Sequence, residues 1–168
     1  MEDLLLLNQL DVDANRSPKE EVNLTELCET AMTQMEPVIS KRHLQVQERL
    51  AVEVETIALP THAGMLVRNL VENAVKYASE GGRVTIDLSP TAEGARMEVF
   101  DECPMIPIEN LDQLFEAFFR PDHSRQSATG GNGLGLAICK AIAIANGWKI
   151  SLRQENKGIR AIVEFLNE

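Results

Sequence analysis

Asn69-Leu70-Val71-Glu72-Asn73-Ala74-Val75-Lys76-Tyr77 is the stretch whose reading decides the fold. At helical pitch, Val67, Leu70, Val71, Ala74, Val75 and Ala78 share one face, which predicts an amphipathic helix from Thr61 through about Ala78. Asn69, Glu72, Asn73 and Lys76 fall on the opposite face, with Tyr77 at its edge. Two neutral amides one turn apart beside a lysine are not a generic solvated face. An asparagine carbonyl oxygen suits a hard Mg²⁺ ion that keeps most of its waters and takes phosphate as a partner. The lysine adds a point charge for the same phosphates. Surface Asn and Lys are nonetheless common, so this face alone leaves the solvated and the functional readings open.

Two further stretches bear on the choice. Gly130-Gly131-Asn132-Gly133-Leu134-Gly135-Leu136 runs directly into a helix predicted from about Gly133 to Asn146, with Gly147 ending it. Clustered glycines ahead of a helix let backbone N–H groups approach a phosphate, and the helix dipole favours negative charge there. The run lacks the Gly-Lys-Ser/Thr ending of a P-loop and the preceding strand of a dinucleotide fold, so neither assignment holds. A plain glycine hinge is the competing reading. Asp101 stands at the end of a predicted strand (Arg96 to Phe100), where a carboxylate could accept from an exocyclic amine or simply initiate a turn.

In this order and at these intervals the three features resemble the catalytic and ATP-binding domain of bacterial sensor histidine kinases. That family belongs to the superfamily shared with DNA gyrase B, Hsp90 and MutL. Asn69 to Tyr77 is similar to its N box almost letter for letter. Leu114-Phe115-Glu116-Ala117-Phe118-Phe119-Arg120 looks like its F box, and Gly131 to Ile138 like its second glycine box. The resemblance covers about Asn23 to Leu166. It implies an α+β fold: a two-layer α/β sandwich of the Bergerat type, with about three main helices on a mixed, mostly antiparallel sheet. It also implies ATP and Mg²⁺ as cofactors. Asn73 would coordinate the metal with Asn69 assisting, Lys76 would contact a phosphate, and Tyr77 would pack near the adenine. Asp101 would read the adenine amino group, Ile106 would line the base pocket, and Gly131, Gly133, Leu134 and Gly135 would shape the loop over the phosphates. Arg120 matches the F-box arginine that stabilises the transferring γ-phosphate, and Pro121 to Gly131 would form the ATP lid. The implied catalytic residues are Arg120 and Lys76. Gyrase-like members carry a water-activating Glu one turn before the metal-binding Asn; here that position is Asn69, which implies slow intrinsic hydrolysis.

One departure stands out. The family's first glycine box reads Asp-x-Gly-x-Gly-Ile, whereas here it is Asp101-Glu102-Cys103-Pro104-Met105-Ile106. Side chains at 103 and 105 are expected to bring strain or to occupy pocket volume. The outcome would be weakened ATP binding or a degenerate, nucleotide-sensing interaction module.

The resemblance also bears on the N-terminus. Residues 1–15, with Leu4 to Leu7 and Leu10, look like the end of a dimerisation and phosphotransfer helix, residues 16–22 like a linker, and residues 23–168 like the catalytic domain. The chain is thus expected to begin partway through another domain. His43, His62 and His123 do not sit in the setting of the family's phosphoacceptor, so the acceptor histidine is expected on a helical domain absent from this chain. The expected partners are that domain and a cognate response regulator's aspartate.

Closer to the residues, Asn23 and Glu26 predict a helix start, with Leu24, Leu27, Ala31 and Met35 at helical spacing. Leu44 to Leu50 and Val52 to Ile57 alternate as a pair of strands closed by Pro60. Gly81-Gly82 turns into a strand at Val84 to Leu88, and Lys149 to Gln154 with Arg160 to Leu166 predicts a closing hairpin. An excess of acidic residues gives a net charge of -10, which argues against nonspecific nucleic-acid binding. No apolar run approaches the roughly 20 residues of a membrane span, and Met1-Glu2-Asp3 does not open a secretory leader. Three unpaired cysteines read as reduced thiols, and the expected location is cytoplasmic, without membrane contact.

Overall fold

Asn23 opens the first helix as predicted: its side chain accepts from the Glu26 N–H at 3.1 Å. The computed structural model describes residues 18–106, 111–116 and 134–167. In chain order its elements are β1 (Glu20–Asn23), α1 (Leu24–Lys41), β2 (Gln45–Leu50), β3 (Glu55–Ala58) and α2 (Pro60–Tyr77). β4 (Arg83–Thr91), β5 (Gly94–Glu102), a 3₁₀ turn (Leu111–Phe115), α3 (Gly135–Asn146), β6 (Lys149–Glu155) and β7 (Gly158–Leu166) follow. Pro60 is the first residue of α2, where its missing N–H costs nothing. α3 ends at Gly147, which adopts the left-handed conformation with φ 71°.

Five strands form one sheet in the order β2-β4-β5-β7-β6. Only β2 and β4 run parallel; the other pairings are antiparallel, as expected for a mixed, mostly antiparallel sheet. Alternation places Val84, Ile86, Leu88, Met97, Val99, Val163 and Phe165 in one core with the apolar faces of the three helices. Trp148 meets Phe165 edge-on at 4.8 Å between ring centroids. The opposite face of the sheet is charged, with Arg49 on Asp87 and Arg160 reaching Glu155, Glu98 and Asp87.

The pairing of the second and third strands differs from expectation. β2 joins the edge of the main sheet beside β4, whereas β3 pairs antiparallel with β1 in a separate two-stranded sheet. The cause is a tie from α1. The Thr25 hydroxyl donates to the Ala51 carbonyl (2.8 Å) and accepts from the Val54 N–H (3.0 Å), and Leu24 N–H donates to the Val54 carbonyl (2.8 Å). These bonds carry the connection away from β2 instead of folding it back. Glu20 to Val22, read as linker, are part of β1.

Candidate functional site

α2 presents its two faces as the periodicity demands. Val67, Leu70, Val71, Ala74, Val75 and Ala78 are buried, while Asn69, Glu72, Asn73, Lys76 and Tyr77 are half-buried. Asn69 Nδ2 donates to the Met65 carbonyl at 2.8 Å, which leaves its Oδ1 without a hydrogen bond among the described residues. Among the described residues, the side chains of Asn73 and Lys76 have neither a hydrogen-bond nor an ion-pair partner.

The start of α3 lies against this surface. A methyl group built on Gly135 would sit 3.6 Å from Asn69 Oδ1. Deeper in the same contact, Cys139 Sγ donates to the Leu66 carbonyl at 3.7 Å. Leu134, the residue before α3, is buried and makes no side-chain cap, and the first turn contains no acidic residue. The first turn of α3, free of acidic residues, therefore starts beside Asn69 of α2, and a helix start of this kind favours an anion.

The third part enters through β5. Ser79 N–H, just past α2, donates to the Glu102 carbonyl at 2.8 Å, which sets Asp101 beside the turn bearing Lys76 and Tyr77. Asp101 is buried at the end of the strand and is engaged in contacts of its own. Ile106 packs with Cys103 and Ile159, against Leu111 and Leu114 of the 3₁₀ turn. Phe115 of that turn joins the main core, with Lys140 of α3 over its ring at 5.4 Å. Residues from the N box, the first glycine box, the F box and the second glycine box thus converge. Arg120, Gly131, Gly133 and the expected lid lie outside the described residues.

The expectation of strain at positions 103 and 105 does not hold. Neither Cys103 nor Met105 has a positive φ; His43 and Glu53 are the non-glycine residues that do among those described. Met105 is 75 % exposed, and Cys103 is buried beside Ile106 and Ile159. The glycine replacements are therefore accommodated in ordinary backbone geometry.

Gly158 went unnoticed as a site residue. A methyl group there would lie 2.0 Å from the Asp101 carbonyl oxygen, so β7 can approach the end of β5 only with glycine at this position. Its one sequence signal, a turn glycine after Asn156-Lys157, says nothing of that approach. No group of three or more His, Cys, Asp or Glu side chains converges among the described residues, so a cation here would depend on amide and phosphate oxygens. A separate groove of about 350 Å³ between α1 and α2, lined by Leu27, Gln34, Gly64, Met65 and Arg68 among others, contains none of the predicted site residues.

Comparison with known proteins identifies the family and the fold. The family model for histidine kinase-, DNA gyrase B-, and HSP90-like ATPases matches residues 58–167. The signal transduction histidine-protein kinase BaeS of Escherichia coli K12 is 32 % identical over 166 residues, covering 98 % of this chain and 36 % of BaeS. The chain thus spans about a third of the length of such curated relatives. The catalytic domain of histidine kinase ThkA, solved without nucleotide, superposes with a TM-score of 0.79 at 27 % identity, covering 90 % of this chain and 97 % of that one. ThkA in complex with the response regulator protein TrrA matches at 0.75 and 24 % identity, over 99 % of this chain and 48 % of that one. Full-length ShkA in complex with AMPPNP shares the fold at 0.80 and 24 % identity, over 99 % of this chain and 35 % of that one.

Proposed function

The chain belongs to the histidine kinase-, DNA gyrase B-, and HSP90-like ATPase family as an ATP-binding catalytic domain of the histidine kinase type, and we propose that it transfers the γ-phosphoryl group of ATP to a histidine on a separate helical domain. The observation that carries the reading is the pair Asn73 and Lys76, half-buried and without side-chain partners among the described residues, on the helix whose Asn69 lies against Gly135 at the start of α3.

Each residue has a physical task. Asp101 accepts from the adenine amino group and so selects the base. Ile106 gives the ring an apolar wall, and Tyr77 packs near it. Lys76 and the leading N–H groups of α3 from Gly135 onward take phosphate oxygens, with Leu134 shaping the loop before them. The residues present fit a magnesium ion: Asn73 offers an amide oxygen that no hydrogen bond among the described residues consumes, and Asn69 lies one turn before it on the same helix face. Bound there, the ion would supply charge neutralisation to the triphosphate. Arg120, Gly131 and Gly133 are proposed in the roles that their motifs carry. In the transfer, an imidazole nitrogen of the acceptor bonds to the γ-phosphorus as the bond to the β–γ bridging oxygen breaks, and ADP leaves. Positioning and charge stabilisation dominate such a step, which suits a site built of amides, a lysine and helix N–H groups.

The proposed partners follow: the helical domain that carries the acceptor histidine, then a response regulator, the class of protein with which ThkA was solved. The described residues include no helix long and apolar enough to cross a membrane, and we propose that this domain works in the cytoplasm. The test mixes the chain with a helical domain bearing the acceptor histidine and labelled ATP. An acid-labile, base-stable label on the acceptor supports the proposal. AMPPNP binding without any such label overturns the kinase reading and leaves a nucleotide-binding module.

A further inference from the structure

A helix that carries phosphate-binding side chains in its last turn needs that turn held, and α2 lacks the usual means. Its final residues lead into Ala78 at φ −60° and ψ 146°, with no left-handed residue to fold N–H groups back onto the last carbonyls. α3, by contrast, ends at Gly147, whose N–H turns back to Ala143 and Ile144. Past α2, only Ala78 N–H returns to the helix, at the Ala74 carbonyl; Ser79 N–H goes to Glu102 and Gly81 N–H to Arg42. The carbonyls of Val75, Lys76 and Ala78 are therefore left to another donor.

That donor is Arg42. Nη1 donates to the Val75 carbonyl at 2.5 Å and to the Lys76 carbonyl at 2.9 Å, and Nη2 donates to the Ala78 carbonyl at 2.5 Å. The residue is itself fixed at both ends of its backbone: its N–H bonds to Val38 at 3.0 Å, and its carbonyl accepts from Gly81 at 2.9 Å. A guanidinium at this position also places positive charge at the negative end of the helix dipole. Its planar fork reaches three oxygens at once, which a single ammonium does not.

We propose that Arg42 is a positioning residue for the nucleotide site: from the connection between α1 and β2 it clamps the last turn of α2 and so keeps Lys76, and behind it Asn73, aimed at the triphosphate, with Tyr77 held towards the base. The proposal rests on the nucleotide reading given above and deepens it. Without the clamp the helix unwinds from its end, releasing Tyr77 and Lys76 first and then the turn of Asn73. Asp101 is unaffected, because the β4 and β7 ladders hold it on β5. Loss of Arg42 therefore weakens triphosphate recognition, through Lys76 and Asn73, more than base recognition, which loses Tyr77 and keeps Asp101 and Ile106.

The experiment compares Mg²⁺-AMPPNP and adenosine binding to wild type, Arg42→Met and Arg42→Lys, with amide hydrogen exchange on each. Arg42→Met is expected to weaken Mg²⁺-AMPPNP about tenfold, the scale set by losing a charged helix cap, while adenosine, which loses only Tyr77, weakens by a clearly smaller factor. Exchange should accelerate in residues 73–78 and not in α3. Arg42→Lys should fall between, since it keeps the charge and loses the fork; if Arg42→Met fails to fold, the same split in Arg42→Lys decides the matter. Equal affinities in variant and wild type overturn the role of Arg42, as does a parallel loss of both ligands with uniformly faster exchange. A wild-type chain that binds neither ligand overturns the nucleotide reading itself, and this proposal with it.

Discussion

Replacing Gly158 with alanine puts a methyl group where the backbone of β5 already stands. The added carbon would lie 2.0 Å from the Asp101 carbonyl oxygen, 2.9 Å from its carbonyl carbon and 2.9 Å from Phe100 Cζ. Two of those three atoms are backbone, so no side-chain rotation relieves the overlap. The strands are paired continuously from Gly94 opposite Leu166 to Glu102 opposite Gly158, and relief must come from splaying the end of that ladder. The cost belongs at the upper end of the overpacking range, about 3 kcal/mol. For a domain of this size that corresponds to a drop of roughly 6–12 °C in Tm. Splaying also displaces Asp101, so Mg²⁺-AMPPNP affinity should fall along with stability. Gly147→Ala is the matched control: φ is +71°, yet nothing lies within 4 Å of the added carbon. It should cost only the left-handed backbone penalty, about 1 kcal/mol, and leave nucleotide affinity unchanged. Thermal unfolding and calorimetric titration measure both effects. A Gly158→Ala protein that melts with wild type and binds as well would refute the close approach of β7 to Asp101.

The charged sheet face and the buried thiols supply further tests. Hydrogen bonds first from Arg160 and then from Arg153 hold the Glu155 carboxyl below its usual range. Because the folded pKa is depressed, its stabilisation is complete above the unfolded value and disappears as pH falls through the folded one. Glu155→Gln should therefore cost at most about 1 kcal/mol near neutral pH, and the gap to wild type should close in acid. Urea midpoints across that range check this; a gap undiminished in acid would contradict it. Burial, then the charges of Glu48 and Glu29, pushes the Cys28 thiol up to about 12, and burial raises Cys139 as well. Native protein at neutral pH should therefore resist maleimide at both residues while denatured protein reacts at once, as mass spectrometry of the labelled peptides would read. Equal labelling rates in the two states would show that these thiols are not sealed in the core.

Much of this was legible in the sequence wherever signal and consequence lie close together. Asn23 with Glu26, the apolar face of Val67 to Ala78, and Gly147 placed the helices, because caps and periodicity act within a few residues. The outer face of α2 was legible for the same reason: a buried stripe forces Asn69, Asn73 and Lys76 to the other side. Strand partnership was not legible. Alternation in β2 and β3 identifies strands but not their neighbours, and the deciding bond joins Thr25 to Ala51. Arg42 escaped notice because its acceptors, from Val75 to Ala78, are remote in sequence and are backbone atoms that carry no residue signature. The departures at Cys103 and Met105 looked costly because family glycines imply special backbone. The observed chain meets neither residue in such a conformation.

The most direct test of the central claim is the affinity of AMPPNP for the wild-type chain and for Asn73→Ala, each with and without Mg²⁺. If the amide and lysine face of α2 and the start of α3 hold a magnesium triphosphate, wild type binds more than tenfold more tightly with Mg²⁺ than without, and Asn73→Ala loses that difference while remaining folded. Binding that is indifferent both to Mg²⁺ and to the loss of Asn73 would place the nucleotide elsewhere and contradict the account.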